Sequence, residues 1–217
     1  MKTNEKTRSY FLLGRFEHTR HFLKWARVYY RSFKEMQENC QEYQLKEEVW
    51  ERISGAIIFS VMGLEAFLNE MASLALENPK LTDSKKGILR RQIESGHRGY
   101  LPTKERICVF TEIVVGEKFP KGRKSWEKLD RLVKYRNGLI HSAQDVDSPN
   151  LVSPAVRMKN GVATEADIMI PTTPVLFSQI VNDCDFEPCE VVKDIITAIE
   201  NVGYRLPDSF KDALAGM

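Results

Sequence analysis

Residues 56–72 read AIIFSVMGLEAFLNEMA, and this stretch decides the fold class. Apolar side chains fall on nearly every side of the helix such a run forms, which marks a helix enclosed by other elements rather than one lying on a surface. The pattern extends from about Lys46 to Glu77 and stops at Asn78-Pro79, because the residue before a proline avoids the helical region. Ser60, Glu65 and Asn69 stand inside these apolar surroundings. Glu65 and Asn69 are four apart and share a face, and a carboxylate placed there needs a partner to stay charged.

An enclosed helix needs neighbours with apolar stripes, and the chain supplies them on both sides. Upstream, about Glu5 to Cys40 contains no proline and a single glycine, with Phe11, Phe16, Phe22, Trp25, Tyr29, Tyr30 and Phe33 near helical spacing. This predicts one long helix whose aromatic side serves core or dimer contact. Downstream, Thr82-Asp83 caps a helix to about Ser95, closed by Gly96-His97-Arg98-Gly99. Thr103 to Val115 fits a shorter helix after Pro102, followed by a basic loop from Gly116 to Arg123. Ser125 is placed to cap a fifth helix, Trp126 to about Ala143, with Leu129, Leu132, Val133, Arg136, Leu139 and Ile140 as its inward stripe.

From Gln144 to about Asp183 the helical pattern disappears, Pro154, Pro171 and Pro174 intervene, and Asn160-Gly161 suggests a small β-hairpin within 155–170. So long an irregular stretch reads as an insertion ordered against the helices or against a partner. Helicity returns at Pro188 with a stripe of Val192, Ile195, Ile196, Ile199 and Val202, and a last turn follows Pro207-Asp208. The expectation is a single all-α domain over 1–217, its core at about 46–143 plus 186–204, interrupted by an irregular insertion at 144–183.

Composition narrows the function classes. The polar start MKTNEKTRSY lacks a signal-peptide core, and no unbroken apolar run approaches the roughly 18 residues of a membrane span. A cytoplasmic protein without membrane association is therefore expected. Cys40, Cys108, Cys184 and Cys189 contain no C-x2-C pair and read as reduced thiols. His18 and His21 have only Glu17 near them, too few ligands for zinc, so neither metal nor cofactor is expected. No glycine-rich phosphate loop, nucleophile elbow or helix-turn-helix spacing is present.

The net charge of +2 hides an uneven distribution: residues 80–136 carry 16 basic and 7 acidic side chains, residues 137–217 only 5 and 12. A basic middle suits a polyanion, with Lys121, Arg123, Lys124 and Lys134 as candidate nucleic-acid contacts. The competing reading has these cations solvating helix faces or pairing with the acidic last third.

That basic region ends at Arg136-Asn137-Gly138-Leu139-Ile140-His141. At about 100° per residue, Asn137 and His141 lie about 40° apart around the helix, and Arg136 reaches in from the flank. A guanidinium fork matches phosphate oxygens, and an imidazole accepts and donates protons near neutrality. Attack of a ribose 2'-hydroxyl on its own phosphate needs a base and a cation, while Asn137 is suited to orient the ring or hold an oxygen. The Arg-to-His spacing arises easily by chance, so the neighbouring Asn and the polar residues of the enclosed helix carry more weight. In the alternative reading Arg136 simply pairs with Glu65 inside the bundle.

SVMGLEAFLNE at 60–70 followed by YRNGLIH at 135–141 resembles the paired core helices of the HEPN family. These are small all-helical domains whose active members are metal-independent ribonucleases bearing an Arg, an adjacent polar residue and a His four to six positions further on. The resemblance covers about 46–143, and the long first helix and the insertion stand outside the minimal pattern. It implies that Arg136 binds phosphate, Asn137 supports the site and His141 handles the proton, with Ser60, Glu65 and Asn69 behind them. It further implies a homodimer whose two motifs face one cleft, RNA as substrate, and a role as toxin, in abortive infection or as an inactive regulator, with an antitoxin or regulatory protein as a further partner. The other function it allows is a non-catalytic dimeric interaction or nucleotide-binding module.

Overall fold

The computed structural model describes residues 17–39, 46–94, 101–141, 158–159, 162–163, 179–183, 186–208 and 210–211. Its helices are α1 (Glu17–Asn39), α2 (Lys46–Leu76), α3 (Asp83–Glu94), α4 (Thr103–Phe110), α5 (Lys124–His141) and α6 (Pro188–Asn201). The fold is all-α, and α2 is its axis: α1, α3, α4, α5 and α6 all pack against it. Ile53, Ile57, Leu64, Phe67, Leu68 and Met71 are buried along α2, each such side chain contributing about 1.5–3 kcal/mol when fully removed from water. Among the described residues α2 is the one helix long and apolar enough to cross a membrane, yet more than half of that window is buried inside the protein. Enclosure by five helices accounts for its composition.

α1 lies closest to this axis. A Cβ built on Gly55 would stand 2.5 Å from the Tyr29 ring, and one on Gly63 would stand 2.7 Å from Leu23 Cδ2. The missing side chains let the two helices approach, while Phe59 between them stacks on Phe22 at 6.4 Å and meets Tyr29 at 5.5 Å. The expected start of α1 at Glu5 lies outside the described residues, as do Phe11 and Phe16.

The other boundaries follow local signals, with four departures. Thr82 Oγ1 accepts from the Lys85 amide at 3.4 Å at the start of α3, and Pro188 occupies the first turn of α6, where its missing N–H costs nothing. Helix α5 begins at Lys124, so Ser125 stands inside the first turn rather than before it. Thr111–Val115 continues α4 as a π-helix instead of an α-helix; Thr111 Oγ1 donates to the carbonyls of Ile107 and Cys108, and the Gly116 amide donates to the Thr111 carbonyl. On α5, Ile140 is exposed and Tyr135 is buried instead, because α5 faces both α2 and α6. Val202 falls at the α6 C-cap and is only half-buried.

Asp183, at the end of the insertion, ties it to α5. It receives Arg131 NH1 at 2.7 Å and the Tyr135 hydroxyl at 3.0 Å, and burial together with that carboxylate pushes the phenol up to about 12. Within the insertion Met158–Lys159 pairs antiparallel with Val162–Ala163, while the Asn160-Gly161 turn lies outside the described residues. The last turn packs Phe210 on Phe67 with ring centroids 5.2 Å apart. Cys108 and Cys189 are free thiols; Cys40 and Cys184 lie outside the described residues.

Glu70 fastens the start of α1 to the axis by accepting a hydrogen bond from Thr19 Oγ1. Burial raises its pKa above the ordinary 4.5, against the lowering effects of Thr19 and His18, and among the described residues its Oε1 has no hydrogen-bond partner. A carboxyl raised on folding contributes stability that is complete below pH 4.5 and is lost as the pH climbs through its folded value. Glu70→Gln keeps an acceptor for Thr19 without the charge. It is therefore expected to melt above the parent chain at pH 7, with the gap closing toward pH 4; thermal melts that show Glu70→Gln melting lower at pH 7 contradict the assignment.

Candidate functional site

Glu65 and Asn69 project from one side of α2 toward α4 and α5. Glu65 Oε1 accepts from Arg136 NH2 at 2.8 Å and from Thr103 Oγ1 at 3.0 Å. One turn further along α2, Asn69 Oδ1 accepts from Arg106 NH2. Thr103 and Arg106, three apart on α4, thus meet Glu65 and Asn69, four apart on α2, as two successive rungs. Arg106 is 1% exposed, so its charge needs acceptors within the protein.

Arg136 and Glu65 are 23% and 21% exposed, leaving the pair within reach of solvent. Arg136 NH1 also donates to Asn137 Oδ1 at 3.1 Å, so the guanidinium bridges the carboxylate on α2 and the amide beside it on α5. A guanidinium carries five N–H donors, of which these two bonds use two. The Glu65 carboxylate offsets its positive charge and fixes its plane.

Helix geometry places positions 134, 137 and 141 within about 60° of one another on α5, and Lys134 and Asn137 are exposed there. His141 ends the helix on this stripe, and its side chain lies outside the described residues. Asn137 therefore links an outward stripe carrying Lys134, on which position 141 also falls, to an inward cation held by Glu65. Lys121, Arg123 and Lys124 are exposed at the opposite end of α5, about 18 Å of helix from Arg136. Lys121 Nζ lies 5.9 Å from the Trp126 ring. Ser60 does not join the site: it is fully buried and its Oγ faces Cys189 Sγ on α6 at 3.8 Å, where burial pushes the thiol up to about 11.

Part of the basic middle is spent on structure. Lys104 pairs with Asp130, Lys128 with Asp194 at 3.8 Å and Arg131 with Asp183, two of these three acids belonging to the acidic last third. Lys85, Arg90 and Arg91 are exposed on α3. Thr103 and Arg106 escaped the sequence reading, although an arginine among the apolar residues of ERICVF carries the same signal as Glu65 in its own helix. Among the described residues no group of His, Cys, Asp and Glu is arranged to hold a metal ion.

No family model, curated protein or solved structure matches this chain.

Removing Glu65 leaves the Arg136 guanidinium and the Thr103 hydroxyl short of an acceptor. Glu65→Ala and Arg136→Ala are each expected to cost about 1–2 kcal/mol in urea unfolding, with a coupling of about 0.5–2 kcal/mol in the double variant. Strict additivity of the two losses would contradict a direct interaction.

Proposed function

We propose that the protein is a metal-independent endoribonuclease of HEPN type that cleaves RNA by attack of the 2'-hydroxyl on the adjacent phosphodiester. The observation that carries this reading is the Arg136 guanidinium, oriented by Glu65 at 2.8 Å and by Asn137 at 3.1 Å, on the helix that ends in His141. A cation held in place before the substrate arrives stabilises the developing phosphorane charge without reorganising. His141 takes the 2'-hydroxyl proton and returns one to the leaving 5'-oxygen, and Lys134 on the same stripe attracts the neighbouring phosphate. A homodimer with paired α5 helices supplies the cleft, with an antitoxin or regulatory protein as a further partner in a toxin or phage-defence setting. Such a nuclease acts in the cytoplasm.

A second reading draws on the same contact. Glu65 offsets the Arg136 charge, which suits a non-catalytic dimeric interaction or nucleotide-binding module whose polar core holds the helices in register.

Cleavage of labelled RNA in EDTA separates the two. His141→Ala is expected to lower the single-turnover rate at least about 100-fold, and Arg136→Ala comparably, with circular dichroism unchanged. Undiminished cleavage by His141→Ala overturns the nuclease reading, and intact RNA beside tight nucleotide binding favours the second.

A further inference from the structure

The outer side of α1 carries charge that neither the core nor the Arg136 site uses. Arg20, Lys24, Arg27 and Arg31 recur at intervals of four, three and four residues, which confines them to about 60° of the helix surface over about 16 Å. Together with Val28, Ser32 and Glu35 they line one groove. Arg20, Lys24 and Arg31 are exposed, and among the described residues none of the three has an acidic partner within 4.0 Å. Arg27 alone meets a carboxylate, Glu190 on α6, at a loose 3.8 Å. Three of the four aligned cations thus lack a matching acid among the described residues, and their mutual repulsion weakly opposes folding unless an anion lies along the stripe.

We infer that this groove is a binding track for the phosphodiester backbone of a nucleic acid. Three of its four cations are guanidiniums, whose forks match phosphate oxygens better than an ammonium does. Its length spans about five phosphates at 3.4 Å per nucleotide along a strand. Trp25, 42% exposed, lies about 100° around α1 from Lys24, outside the groove, and its Nε1 donates to His21 Nε2 at 3.0 Å, which fixes an indole face for a base that turns away from the backbone track. An anionic membrane fits less well, because the apolar side of α1, with Leu23, Ala26 and Phe33, is already buried against the protein. An acidic peptide lacks the stacking bases that Trp25 would meet.

Glu65 and Asn69 are centred roughly 100° around α2 from Gly55, Phe59 and Gly63, where α1 sits, so this groove is distinct from the Arg136 site and binding there does not depend on cleavage.

The test uses the full chain and a fluorescein-labelled 2'-O-methyl oligouridine, which no 2'-hydroxyl attack can cleave, with anisotropy measured across a salt series. Converting Arg20, Lys24 and Arg31 together to Gln is expected to weaken binding at least roughly tenfold at 0.1 M salt. The slope of log K against log salt should fall in magnitude by about 2, at roughly 0.7 for each phosphate that is no longer neutralised. In the unaltered chain, the oligonucleotide should protect Lys24 from acetylation while leaving Lys80 reactive, a readout that does not depend on how the triple variant folds. Equal affinity and slope in the triple variant, or unprotected Lys24, overturns the inference, as does capture of phosphatidylserine vesicles or polyglutamate by a chain that ignores the oligonucleotide.

Discussion

Helix α2 is surrounded by five other helices, and that enclosure sets a condition on every polar atom it carries. A side chain that cannot reach water must find its acceptor or donor inside the protein, or the group loses its hydration without return. Glu65 and Asn69 meet this condition through Arg136, Thr103 and Arg106, and Ser60 through Cys189, whereas Glu70 meets it with one oxygen only, through Thr19, and its burial raises its pKa. These contacts fix how α1, α4, α5 and α6 seat on the axis. Apolar burial supplies most of the stabilisation but is indifferent to small rotations of a helix, whereas a bond between Glu65 and Arg136 forms at one rotation only.

The same contact gives the candidate site its order. Arg136 arises from the inward side of α5, and its guanidinium is drawn to Glu65, while Asn137 and the position of His141 belong to the outward side. Asn137, accepting from Arg136, couples the two sides through adjacent residues. The arrangement combines a fixed cation with a solvent-facing stripe, which suits a phosphate that approaches from solvent and a proton donor that must stay hydrated.

Most of the fold was legible because its signals are local. The all-round apolarity of residues 56–72 announced an enclosed helix, Asn78-Pro79 and Thr82 marked a stop and a start, and Pro188 opened α6. The π-helical turn at 111–115 was not legible, since Thr111 bonds to carbonyls of its own helix in a way no spacing rule signals. Tyr135 in place of Ile140 on the buried side of α5 reflects two partners, α2 and α6, where a single stripe assumes one. At the site, Glu65's need for a partner was readable from its surroundings, while the choice among Arg136, Arg106 and Thr103 depends on how helices distant in sequence meet. On α1 the aromatic residues of the inner side dominate the pattern, although Arg20, Lys24, Arg27 and Arg31 repeat as regularly on the outer one.

The charge asymmetry also resolves into two populations. Lys128 and Arg131 pair with Asp194 and Asp183, so part of the basic middle is matched by the acidic last third, as an intramolecular account requires. Lys134 and, on α1, Arg20, Lys24 and Arg31 have no such match among the described residues and are open to an outside anion. Under the proposed nuclease reading the Arg136 to His141 segment directs a 2'-hydroxyl onto its neighbouring phosphate, and the chemistry of the product ends tests that reading most directly. Mass spectrometry of RNA incubated with the purified chain in EDTA is expected to show 2',3'-cyclic phosphate and 5'-hydroxyl termini; RNA left whole, or cut to 3'-hydroxyl and 5'-phosphate ends, contradicts it.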